Sequence, residues 1–186
     1  MRRRYIVTIL TAIGVVGYLA LDDKQLGPIS NTQHAIQQEP DYTVKGLSAQ
    51  HYNAEGQLDR MIQADGARHY PFDDRTQLDS PNLTLHQAAQ PQWQVSAQKG
   101  TLNQNQMLEL NGDVRVAPLQ QSAGTFTLST PHLSIDLEQQ IADTDKPVII
   151  SSPNTHLTAT GMNLDMVKQQ AKFKSTVRGT HDPHAQ

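Results

Sequence analysis

The chain has 186 residues, of which 37% are hydrophobic, 18% charged and 5% aromatic, with no cysteine. That length holds one domain plus flanking segments, and the missing thiols exclude disulfides, iron–sulfur clusters and thiol catalysis. The formal charge is −3, but Arg2, Arg3 and Arg4 hold three of the 15 basic residues; the remainder sets 12 against 18 acidic ones, so no basic patch is left for nucleic acid.

From Tyr5 to Leu21 the chain carries no charge. Seventeen residues at 1.5 Å each make a helix of about 25 Å, the short end of what spans a bilayer core. Tyr5 and Tyr18 stand near its ends, where amphipathic rings prefer the interface. Tyr18 puts a bulky ring where a signal-peptide cleavage site needs a small residue, so an uncleaved anchor is expected. Arginines before it and Asp22-Asp23 after it set the direction: residues 1–4 stay in the cytoplasm and the rest is exported. In a bacterium the exported part is periplasmic. Residues 22–40 are polar and aperiodic, broken at Gly27-Pro28, and read as a linker.

Short alternating segments follow. Tyr42 to Val44 and Leu47 to His51 precede a turn at Asn53–Gly56, and Leu58 to His69 has Ile62, Ala64 and Gly66 in phase. Leu83 and Leu85 alternate after Ser80-Pro81. Trp93, Val95 and Ala97 alternate up to a turn-like Lys99-Gly100, which separates them from Leu102. Leu108, Leu110, Gly112, Val114 and Val116 face one way, with Glu109, Asn111, Asp113 and Arg115 opposite. Phe126 and Leu128 precede Thr130-Pro131. Leu133, Ile135 and Leu137 share a face, and Val148 to Ile150 follow Asp145-Lys146-Pro147. Asn163 to Lys174 is the one stretch with helical promise; it reads equally well as two strands and a turn, and the strand reading is preferred. Ala171, Phe173 and Val177 alternate with Lys172, Lys174, Thr176 and Arg178. Turn signals every ten or so residues predict an all-β antiparallel sandwich or roll over 41–180, with a polar tail at 181–186. Leu78 to Leu85 echoes Leu128 to Ile135, and Ser48-Ala49-Gln50 recurs as Ser96-Ala97-Gln98. A loose period near 50 to 60 residues supports a roll without proving one.

Catalytic machinery is hard to find. His34, His51, His69, His86, His132 and His156 are scattered singly, and only His181 and His184 cluster, in the tail. A metal site needs three or four convergent ligands. Asp73-Asp74 and Asp143-Thr144-Asp145 sit beside Arg75 and Lys146 in turn-like settings and read as solvated turns. Trp93, the one tryptophan, reads as a core or interface anchor. With no nucleophile elbow, P-loop or dinucleotide fingerprint, the chain reads as a binder without catalytic residues, cofactor or metal.

The order of features resembles a known family. A basic single-span N-terminus and a polar linker lead into a β-domain containing Tyr52-Asn53-Ala54-Glu55-Gly56, Trp93-Gln94-Val95-Ser96-Ala97 and Met107 to Val116. This is similar to the LptC family, the anchored inner-membrane component of the bacterial lipopolysaccharide export bridge. The resemblance covers nearly the whole chain and weakens after Val116. It implies an open antiparallel β-jellyroll-like periplasmic domain behind a single transmembrane helix. It also implies docking on the LptB-LptF-LptG transporter and handover of lipopolysaccharide to LptA. Acyl chains left in water cost roughly 0.8 kcal/mol per CH₂, and an aliphatic groove would sheathe them. The expected lining is Leu47, Leu78, Leu83, Leu85, Val95, Leu108, Leu110, Val114, Leu133, Ile135, Ile150, Ala171 and Phe173. The expected partner edges are Tyr42 and Val44 toward the transporter, and Lys172, Lys174 and Val177 toward LptA. A β-domain that only scaffolds envelope proteins, its apolar face a closed core, is the alternative. An envelope enzyme acting on glycans is more remote, because an acid–base pair is missing.

Overall fold

The computed structural model describes residues 39–104, 106–120 and 126–181. The expected transmembrane segment 5–21, the basic terminus, the linker up to residue 38 and the tail from residue 182 lie outside the described residues. Among the described residues no helix is long and apolar enough to cross a membrane.

The described residues form twelve strands in one antiparallel sheet: β1 (Tyr42–Tyr52), β2 (Leu58–Tyr70), β3 (Arg75–Asp79), β4 (Asn82–Gln87), β5 (Gln90–Ser96) and β6 (Lys99–Leu102), then β7 (Met107–Pro118), β8 (Thr127–Asp136), β9 (Ile141–Ser152), β10 (Thr155–Asp165), β11 (Gln170–Phe173) and β12 (Arg178–His181). The twelve are nine long strands in a meander, three of them interrupted. β3 and β4 both pair with β2, β5 and β6 with β7, and β11 and β12 with β10. The all-β antiparallel expectation holds.

The interruptions line up. Ser80 turns to a φ of 49° before Pro81, and its N–H donates to Gln98 O at 2.9 Å. Gln98 N–H donates to Gly112 O at 2.9 Å, and Gly112 and Asp113 have φ values of 78° and 51°. The disturbance continues in β8, where the buried hydroxyls of Thr130 and Thr144 both donate to His132 O, at 3.2 and 2.7 Å. It ends at Gly161 (φ 75°), whose carbonyl accepts from Lys174 N–H at 3.0 Å. Left-handed residues and bulges bend a strand without ending it. A crease therefore crosses the sheet and divides the strands into two leaves.

This crease corrects several expectations. Ser80-Pro81 and Thr130-Pro131 are mid-strand bends rather than turns between strands, and Asp143-Thr144-Asp145 lies within β9. Lys99-Gly100 lies inside β6; the reversal comes at Asn103–Gln106, where Asn103 and Met107 are bonded. Proline, glycine, serine and aspartate signal bends and reversals alike, so local composition does not separate the two. The hairpin repeat is also shorter than expected. Asp74, Gln106, Gln140 and Gln169, each with positive φ, close the turns at one end of the sheet about thirty residues apart.

The alternating face is folded inward. Leu83, Leu85, Val95, Val114 and Val116 come from one leaf, and Leu78, Leu108, Leu110, Leu133 and Ile135 from the other, all within one core cluster. Direct contacts show how tightly the sheet curls. Arg60 in β2 reaches Leu137, just after β8, and Trp93 in β5 reaches Met166, just after β10. Each pair is four strands apart along the sheet, about 19 Å at the usual spacing. Their hydrogen bonds are 3.0 and 2.8 Å.

Candidate functional site

The inner face is the first candidate. Nine expected lining residues, Leu78, Leu83, Leu85, Val95, Leu108, Leu110, Val114, Leu133 and Ile135, are no more than 2% exposed. Leu47, Ile150 and Phe173 are half-buried and pack against that core. Ala171, on the same short strand as Phe173, is exposed and is not part of that core. The structure thus brings twelve of the thirteen together, nine of them in a dry interior. Scarce aromatics leave this interior aliphatic, apart from Trp93 meeting Phe126 edge-on at 6.2 Å.

Arg60 and Trp93 complete the inner face. Arg60 is 7% exposed and pairs with Leu85 in the ladder, which in turn pairs with Trp93. Its guanidinium donates to Leu137 O at 3.0 Å, Gln106 Oε1 at 2.8 Å and Asp59 Oδ2 at 3.0 Å. Asp59 also accepts from Gln140 Nε2 at 3.2 Å. Trp93 Nε1 donates to Met166 O at 2.8 Å. Sequence reasoning passed over Arg60, although its phase with Ile62 and Ala64 puts it on the inner face. It flagged Trp93 as an anchor without its partner.

The sheet's two margins are the second candidate. Tyr42 and Val44 lie on β1, which pairs with β2 along its length. Tyr42 is half exposed and stacks on His69 with ring centroids 4.8 Å apart. His69 is clasped between two carboxylates, Nδ1 at 2.8 Å from Asp41 and Nε2 at 2.8 Å from Asp74. The bond to Asp74, then that to Asp41, raises the imidazole above its ordinary value. Asp74 is correspondingly lowered, first by His69 and then by Gln104.

At the opposite margin the last strand is broken. Lys172 lies on β11, whereas Lys174 and Val177 fall in the bend between β11 and β12, so neither is a strand residue as expected. Lys174 sits at this break and reaches over Gly161 to β9. Its ammonium bonds Asp143 at 2.7 Å and Asp145 at 2.8 Å, and its Cβ sits where any side chain on Gly161 would have to go. Asp143 is held below the usual carboxylate range, chiefly by Lys174, and Lys174 is raised, chiefly by Asp143. The acidic pairs thus have structural partners. Asp143 and Asp145 take Lys174, Asp73 takes Arg75 at 3.2 Å, and Asp74 takes His69. Among the described residues no cluster of side chains could hold a metal ion. The recesses along β10 and β12 are open and lined mostly by serine, threonine and proline, with His156 beside one and Arg178 beside the other.

Two comparisons with known proteins bear on this arrangement. A family profile described as LptC, lipopolysaccharide-assembly, LptC-related, matches residues 6–182. A search of curated proteins finds no match.

Proposed function

This chain belongs to the LptC family of lipopolysaccharide-assembly proteins, and from that membership we propose that its inner face carries the acyl chains of lipopolysaccharide between two partner complexes. Membership ties the chain to lipopolysaccharide transport rather than to catalysis. The supporting observation is one aliphatic face running through nine consecutive strands and ending half-buried at both margins, at Leu47 and at Phe173. Such a face shelters methylenes that cost roughly 0.8 kcal/mol each in water.

In this reading residues 5–21 anchor the chain in the inner membrane and the β-domain stands in the periplasm. β1 extends a sheet of the LptB-LptF-LptG transporter, and the β11–β12 margin takes a strand of LptA. A sheet edge recognises another strand through main-chain bonds, so each junction can continue the aliphatic face from one protein to the next.

A scaffold role is the second reading. It is favoured by the nine lining residues that are buried to within 2%. The readings separate on lipid content. Full-length protein extracted from membranes with its partners should carry lipopolysaccharide, detected by mass spectrometry of the bound lipid. Partners that co-purify without lipid would leave the scaffold.

A further inference from the structure

We propose that Arg60 and Trp93 latch a seam between the two leaves, and that acyl chains reach the buried face when this seam parts. The inference rests on the lipid-carrying function. It answers a difficulty within that function: residues no more than 2% exposed, such as Leu133 and Leu108 at 0%, offer a lipid no surface until something moves.

The position of the opening follows from how the leaves are joined. Along the crease they share continuous backbone, and strand pairing resumes on both sides of it, with register shifts where β7, β8, β9 and β10 cross it. Parting them there would break ladder bonds. At the opposite side the links named above are made by side chains: Arg60 to Leu137 O and Gln106, Trp93 to Met166 O, and Gln140 to Asp59. Releasing these leaves every strand pair intact. The turns on the receiving side are chained together, Leu137 N–H to Gln106 O and Met166 N–H to Gln140 O, both at 3.0 Å. They therefore move as one lip.

The chemistry of the latch suits reversible opening. A guanidinium within an aliphatic interior is tolerated only while its donors are satisfied. Here they are met largely by neutral oxygens, Leu137 O and Gln106 Oε1, with Asp59 beside them. Parting the seam returns the charge to water, which offsets part of the cost of baring leucines. A leucine at position 60 would gain nothing on opening. Likewise the indole N–H and Met166 O each regain a water partner. A ligand can hold the parted state only through contacts that the shut state denies it, and the inner leucines supply those contacts.

The test uses full-length protein in its native membrane, with a leucine-sized diazirine side chain at Leu133 and ultraviolet-dependent lipopolysaccharide adduct as the readout. The chain has no cysteine, so Asp59→Cys with Gln140→Cys supplies one thiol pair across the seam, bridged by a reducible bifunctional thiosulfonate. Bridging should bring the Leu133 adduct down to the level without ultraviolet light, and reduction should restore it. Trp93→Phe keeps the aromatic body and drops the N–H; it should raise the adduct about fivefold, the effect of one net hydrogen bond. An adduct unaffected by the bridge, or unchanged in Trp93→Phe, overturns the latch. So does adduct at Leu47 and Phe173 with none at Leu133, while leaving lipid carriage standing. No adduct at any of the three positions in the unbridged protein overturns lipid carriage and the latch together.

Discussion

Gly112→Ala should lower the melting temperature, by an amount the crease sets. Gly112 has a φ of 78°, and a Cβ built on it would lie 2.6 Å from Gln98 Oε1 and 3.1 Å from Gln98 Cβ. The amide end of Gln98 can rotate away. Its Cβ cannot, because Gln98 N–H is bonded to Gly112 O at 2.9 Å. A left-handed backbone costs an L-residue roughly 1–2 kcal/mol, and the displacement adds about 1 kcal/mol, the low end of overpacking. The sum is about 2–3 kcal/mol. For a domain of this size each kcal/mol is worth about 2–4 °C, so the midpoint should fall by about 4–12 °C. Thermal denaturation followed through the near-ultraviolet signal of Trp93 would report it. In ordinary extended backbone the same replacement would stabilise by about 0.4–1 kcal/mol, through the unfolded chain. A melting temperature equal to or above that of the parent would refute the crease.

The His69 clasp carries a pH signature. Its folded value is raised, so its contribution is complete below about 6.5 and is lost as pH rises through the folded value. Asp74 is lowered, so its contribution holds above its ordinary value and is lost as pH falls through the folded one. His69→Phe, which can still stack on Tyr42, should therefore cost more melting temperature at pH 5.5 than at pH 8.5; equal losses would refute the clasp. In the core, Leu133→Ala should cost about 2–5 kcal/mol by leaving a cavity, whereas Ile149→Ala, at a position 41% exposed, should stay within about 0.5 kcal/mol. Equal chemical-denaturation midpoints for the two would contradict the inward assignment. At the last margin, successive residues turn their N–H groups to opposite sides, so Ala171→Pro and Lys172→Pro separate two roles. One should weaken pairing with β10 and lower the melting temperature. The other should spare stability and lower LptA co-purification, and undiminished capture by both would remove β11 as the docking edge.

What the sequence made legible was the local part of the fold. Alternation identified the inward phase of β7 and β8, whereas Asn163 to Lys174, whose pattern suits a helix as well as a strand pair, is two strands and a turn in the structure. Bends were misread as reversals because Ser80-Pro81 and Thr130-Pro131 carry the composition of turns. Only the partners of their backbone groups distinguish the two, and those partners lie on neighbouring strands. Closure was less visible still. Arg60 meets Leu137 across 77 residues and Trp93 meets Met166 across 73, separations that no local periodicity encodes. Lys174 looked like an outward residue of an edge strand. It is exposed, but it lies in the bend between β11 and β12, where its ammonium meets Asp143 and Asp145, far away in the chain.

The central claim is that lipid lies against the inner face. Photo-crosslinking residues at Leu47 and Phe173, the half-buried ends of that face, with Glu109 on the outer face as control, test it most directly in living cells. The account predicts an ultraviolet-dependent lipopolysaccharide adduct at Leu47 and Phe173 and none at Glu109. A folded, membrane-inserted protein that gives no adduct at either inner position, or gives as much at Glu109, would contradict it.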